Sequence, residues 1–366
     1  MTEPITLSNS IRLTGRQWLA VAVFAVLFAW FAPLMWKQIE DFPLEDDYRI
    51  PRQLKEDYWL YQRFAQRSAP RYDGFVIGDS VVWGQYAKRS ETLSHYLNER
   101  AGRERFVNFG MNGAHPLALE GLIRHYGGAI CAKDVVLHCN LLWLSSPKLD
   151  LQEKTDEAVE AAVFHASLVP QFVPYIPAYD KQEISPRLGI LVQQRLPISQ
   201  GADHLQQAYY DGKDIPQWTL SHPYANPLEP LTRGLPASDD KLEKPQRPWF
   251  KDAKSEAMAP RVSPPWIDMD TSLQWAAFQR VVKLLKSRDN RVFVLVGPFN
   301  EHMLPAGSKD RCQEIKATIA AWLTANEIPH MVAEVLPSKE YGDLSHPLPG
   351  GYELLAQHLW SMGRWR

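Results

Sequence analysis

The chain is predicted to be an α/β protein with a parallel sheet covered on both faces, carried behind a single apolar N-terminal helix. Short apolar runs that read as buried strands alternate with helical stretches, an uncharged segment runs from Trp18 to Trp36, and glycine or asparagine closes several of the strands. With 366 residues, 45% of them hydrophobic and 22% charged, the chain is long enough to bury a sizeable core. The net charge of −2 offers no broad basic surface, so no nucleic-acid partner is expected. Cys131, Cys139 and Cys312 form no CxxC pair, and the eleven histidines show no close ligand spacing such as HExxH, so neither a metal nor another cofactor is expected.

The segment Trp18–Trp36 would span about 28 Å as a helix, close to the ~30 Å hydrocarbon core of a bilayer. Arg12 and Arg16 precede it and the acidic stretch after Lys37 follows, which predicts a cytoplasmic tail over 1–17 and the remainder on the far side. Trp30, Phe31, Met35 and Trp36 stand where a signal peptidase needs small residues, so the segment reads as a retained anchor. The expected location is therefore the cytoplasmic (inner) membrane, single-pass, with the main domain on the periplasmic or extracytoplasmic side.

A linker over 37–72 contains a helix opened by Pro51, with Leu54, Tyr58, Tyr61 and Ala65 on one face. From residue 73 onward, strands are predicted at Phe75–Ile77, Arg105–Phe109, Asp134–Cys139, Arg291–Val296 and Pro329–Val332. Helices are predicted from Ser90 to about Arg100, near 117–127, over 271–287 and over 309–326. Between 145 and 265 this alternation stops, and 16 of the 28 prolines fall there. Phe172, Tyr175, Tyr209 and Trp249 in that stretch predict a packed insertion or cap.

Four groups of residues carry chemistry. Gly78-Asp79-Ser80 follows a strand, where a serine at the carboxyl end of a parallel sheet faces the usual ligand crevice. Asp343-Leu-Ser-His346 lets a carboxylate orient an imidazole whose other nitrogen faces a serine. Gly113 and Asn140, just past two further strands, are an amide and a side chain that can donate to an oxyanion, as acyl transfer requires. Trp83, Gln85 and Tyr86 could line a carbohydrate surface, and Asn300 and His302 could border the same crevice, which makes Trp83, Asn300 and His302 candidate substrate-binding residues.

In their order the four blocks resemble the SGNH (GDSL-like) hydrolases: FVIGDSVVWG around Ser80, VNFGMNG ending in Gly113, VVLHCN ending in Asn140, and DLSHPLPGGYELLA beginning with Asp343. The resemblance covers about 73–145 and 271–364. It departs from the family at the third block, where Gly-x-Asn-Asp is usual and this chain has His138-Cys139-Asn140-Leu141. It implies a flavodoxin-like three-layer α/β/α sandwich over 73–366. It further implies a serine acyl-enzyme route with catalytic Ser80, His346 and Asp343, and an oxyanion hole from Ser80, Gly113 and Asn140. An anchored domain of this kind resembles the accessory proteins of envelope polysaccharide O-acetylation and teichoic-acid D-alanylation. The resemblance thereby implies an acylated glycan as substrate and a multi-span membrane O-acyltransferase as partner. A catalytically silent scaffold for such a partner, and a lipid-directed esterase, are the alternative readings.

Overall fold

The computed structural model describes residues 13–41, 44–154, 163–237, 242 and 244–362. The first twelve residues of the expected tail, Arg12 among them, lie outside the described residues. Five strands form one parallel sheet: β1 (Gly74–Gly78), β2 (Phe106–Gly110), β3 (Asp134–Cys139), β4 (Arg291–Val296) and β5 (His330–Val332). Their order is β2-β1-β3-β4-β5, so the chain winds outward in both directions from β1 and β3. The carboxyl ends of those two strands thus border the switch point, where open α/β sheets place their ligands.

The period-2 alternation of the strands sorts side chains to two cores. Phe75 and Ile77 of β1 join one cluster, packed by α2 (Tyr58–Ser68), α5 (Pro116–His125), α10 (Leu273–Lys286) and α11 (Ala306–Ala325). Val76 faces the other way, under α4 (Leu93–Ala101) and α12 (Pro349–Ser361). The result is the expected sheet between two helical layers.

Local signals moved some boundaries. Pro51 is followed by one 3₁₀ turn, and α2 begins only at Tyr58, where the Asp57 carboxylate accepts from the Leu60 amide. Trp59, Leu60, Tyr61 and Phe64 are buried, so α2 packs onto the sheet domain. Likewise α4 starts after Thr92, whose hydroxyl accepts from the His95 amide, and Ser90 lies in the preceding turn.

The apolar helix α1 extends over Gly15–Ile39, longer at both ends than the uncharged run, because Thr14 and Gln17 form a capping box at its start. Its large apolar side chains are exposed over most of its length, and it is long and apolar enough to cross a membrane. The insertion holds α6 (Ile184–Gln193), α7 (Pro197–Tyr209), α8 (Ile215–Ser221) and α9 (Ala253–Met258). It packs through two small apolar clusters. One joins Leu151, Val163, Val169 and Tyr179 to Leu117 of α5 and Ala277 of α10; the other joins Tyr209, Tyr210 and Trp218 to Trp36 of α1. Phe172 and Tyr175, expected to pack, are exposed instead.

Candidate active site

Ser80 opens a one-turn helix, α3 (Ser80–Trp83), directly after β1. Such a sharp strand-to-helix turn needs room on the sheet, and two glycines provide it. A Cβ at Gly110 would lie 2.2 Å from the Trp83 nitrogen, and one at Gly78 would lie 2.5 Å from a Val82 methyl. Asp79 fixes the turn: its carboxylate accepts from the Val81 amide at 3.0 Å, from Asn140 Nδ2 at 2.6 Å and from Trp143 Nε1 at 2.8 Å. Burial by itself would raise the Asp79 pKa. The neighbouring His138 ring, 3.3 Å away, and the Asn140 and Val81 donors more than offset that, and the pKa falls below the usual value.

Ser80 Oγ lies 2.8 Å from His346 Nε2, and His346 Nδ1 lies 2.8 and 2.9 Å from the two oxygens of Asp343. Asp343 also accepts from the backbone amides of Ser345 and His346, both at 3.0 Å, and from the Tyr86 hydroxyl at 3.1 Å. Burial pushes the Asp343 pKa up, but the His346 ring and the two amides outweigh it, so the carboxyl is held well below the carboxylate range. An ionised Asp343 accepts a hydrogen bond from Nδ1–H, which leaves Nε2 free to accept one from the Ser80 hydroxyl. Ser80 and His346 are buried without being sealed, at 6% and 7% exposure.

Gly113 sits in the turn after β2 with φ of +83°, a conformation that disfavours a side chain. Neither its N–H nor that of Ser80 has a protein acceptor among the described residues. The insertion covers this turn. Phe164 and His165 stand over Gly113, His165 Nε2 donates to the Asn112 carbonyl at 2.8 Å, and His115 Nε2 donates to the Phe164 carbonyl at 2.9 Å.

The structure therefore brings Ser80, Asp343 and His346 into one hydrogen-bonded chain. Asn140 is close by, but one of its two amide hydrogens is committed to Asp79 and its oxygen accepts from the Leu142 amide. The three residues expected to bind substrate are engaged with backbone carbonyls instead. Trp83 donates to the Ile50 carbonyl and stacks under Arg49, whose guanidinium carbon is 4.1 Å from its ring centre. Asn300 is fully buried and donates to the Asp343 carbonyl at 3.1 Å, which steadies the loop carrying the triad aspartate. His302 binds the Leu336 carbonyl at 2.9 Å. Each satisfies a backbone carbonyl, a demand that sequence spacing does not reveal.

Tyr86, expected at a carbohydrate surface, does border a cleft, together with insertion residues that were not anticipated there. A cleft of about 600 Å³ beside the triad is bounded by Tyr86, Lys244, Arg247, Trp249, Phe250 and Lys251, and no acidic side chain among the described residues lines it. Lys244 Nζ lies 4.0 Å from Asp343, and the Tyr86 ring is 5.7 Å from that of His346. The segment is held in place by the Trp249 amide, which donates to the Tyr341 carbonyl at 3.0 Å. The run of three cations and two adjacent aromatics within 244–251 was the available signal. No family model matches the chain, and no curated protein matches it.

Proposed function

We propose that the protein is a membrane-anchored serine esterase or O-acyltransferase of the SGNH kind, acting on acyl esters of cell-envelope glycans. The observation that carries the reading is the continuous Ser80–His346–Asp343 chain of hydrogen bonds at the carboxyl edge of β1. In this scheme His346 Nε2 takes the Ser80 proton as Oγ attacks the ester carbonyl, and Asp343 stabilises the imidazolium. The carbonyl oxygen becomes an oxyanion held by the Ser80 and Gly113 amides and the second amide hydrogen of Asn140. On collapse the C–O bond breaks, the imidazolium returns its proton to the leaving alkoxide, and the acyl group stays on Ser80. Water or a sugar hydroxyl then accepts it by the reverse sequence.

The cleft supports a glycan, since aromatic faces suit sugar rings, and its three cations suit anionic substituents on them. The roof that Phe164 and His165 form over Gly113 limits water and supports transfer over hydrolysis. The charges flanking α1 support a domain held outside the cytoplasm, and a multi-span acyl donor in the same membrane is the partner this reading calls for.

A fluorophosphonate probe should label the wild-type full chain and fail to label Ser80→Ala. Undiminished labelling of the variant would refute Ser80 as nucleophile. An unlabelled wild-type chain would favour the silent-scaffold reading.

A further inference from the structure

We propose that the α6–α7 corner of the insertion is seated in the lipid bilayer beside α1, as a second membrane contact of this protein. The inference rests on α1 spanning the membrane and goes beyond the enzymatic reading, on which it does not depend.

The depth of the corner follows from what touches α1. The uncharged stretch Gln17–Trp36 lies between Arg16 and Lys37 and measures about 30 Å as helix, the thickness of the hydrocarbon core. One edge of that core therefore falls near Lys37, and Pro33 lies roughly 6 Å inside it. A Cβ at Gly201 of α7 would be 3.4 Å from the Pro33 side chain. Three residues later, His204 Nε2 is 2.8 Å from Glu40, at the far end of α1. α7 thus runs in the same sense as α1, and residues before Gly201 lie at the depth of Pro33 or deeper.

Buried polar contacts hold this docking. Glu40 is buried among His204, Tyr209, Arg63 and Trp36, all of which hydrogen-bond to its carboxylate, and the other ring nitrogen of His204 meets Asp57 at 2.6 Å.

At that depth an apolar row faces outward, and Arg195, the exposed cation at the corner, can reach back to the headgroups along its apolar stem. Ile184, Leu188 and Val192 repeat every four residues along one face of α6, and Leu196 continues the row into the corner. They are 62%, 50%, 56% and 42% exposed, and neighbouring Val173 is 86% exposed. Water would leave such a row costly, whereas amphipathic helices bury an apolar face among headgroups and acyl chains.

The test uses the full chain in phosphatidylcholine–phosphatidylglycerol nanodiscs with and without doxyl-labelled lipid. An environment-sensitive fluorophore is attached at Leu188→Cys, Val192→Cys, Phe24→Cys or Glu99→Cys, each in a Cys131→Ser background; Cys139 and Cys312 are buried. Glu99 lies on α4, on the opposite face of the sheet. Lipid-borne quenching at positions 188 and 192, with none at 99, is the expected result. Quenching at 24 but no more at 188 and 192 than at 99 would overturn the seating, and would mean that a protein or water covers the row. A probe at 24 that escapes quenching would remove the anchor itself, and the seating with it.

Discussion

At Asp343, one side chain collects the imidazole of His346, two backbone amides and the Tyr86 hydroxyl, and these donors keep it ionised although it is largely enclosed. Its protonation would cost the site its orienting acceptor, so its depressed pKa keeps the triad assembled at neutral and mildly acidic pH. Asp343→Asn presents an amide where Nδ1–H must be accepted, which favours the wrong tautomer of His346. Turnover of an activated ester should fall by about 10⁴-fold, with little change in thermal stability. A loss of less than about tenfold would show that Asp343 is not the orienting group. Asn300 illustrates how position alone misleads at this scale. It lies at the expected strand end, yet its amide serves the Asp343 carbonyl and reaches no open space.

Among the elements, the single turn of α3 decides where Ser80 stands. It can lie on the sheet only because β1 and β2 both end in glycine, at paired positions Gly78 and Gly110. Gly110→Ala would drive a methyl into the Trp83 backbone, which no rotamer change relieves. The expected cost is about 3 kcal/mol or more in urea unfolding, together with loss of fluorophosphonate labelling as Ser80 shifts. Wild-type stability in that variant would mean that α3 is free to move, and the positioning argument would fail. The insertion contributes at the same scale by delivering Phe164 and His165 to the Gly113 turn and Lys244–Lys251 to the cleft.

Across the whole molecule, the contact between insertion and sheet domain is sensitive to acid. Burial lowers the pKa of His115 to about 4 and that of His165 to about 3, although each donates to a backbone carbonyl, Phe164 and Asn112 respectively. Both rings are neutral in the fold, while in the unfolded chain they protonate near pH 6.5. Between that value and the folded pKa the unfolded state binds more protons, so stability falls as pH drops. Each histidine contributes about 1.4 kcal/mol per pH unit until pH passes below its folded pKa. Urea unfolding from pH 7 to 5 should show this decline, and His165→Gln should remove about half of its slope. Stability that does not change over that interval would contradict the neutral assignment.

The sequence by itself determined the parallel sheet, the apolar helix and the order in which Ser80, Gly113, Asn140 and Asp343–His346 follow the strands. These are legible because hydrophobic period, caps and breakers act over a few residues, where the chain carries its own instructions. Only the tertiary structure decided that Trp83, Asn300 and His302 engage backbone carbonyls, that Tyr86 supports the aspartate, and that a loop some 160 residues after Ser80 walls the cleft. It also decided that Glu40 at the end of α1 pairs with His204 of the insertion. The reason is common to all of them: a buried polar group must find its partner among whatever the packing brings near, and packing joins residues whose separation along the chain has no pattern.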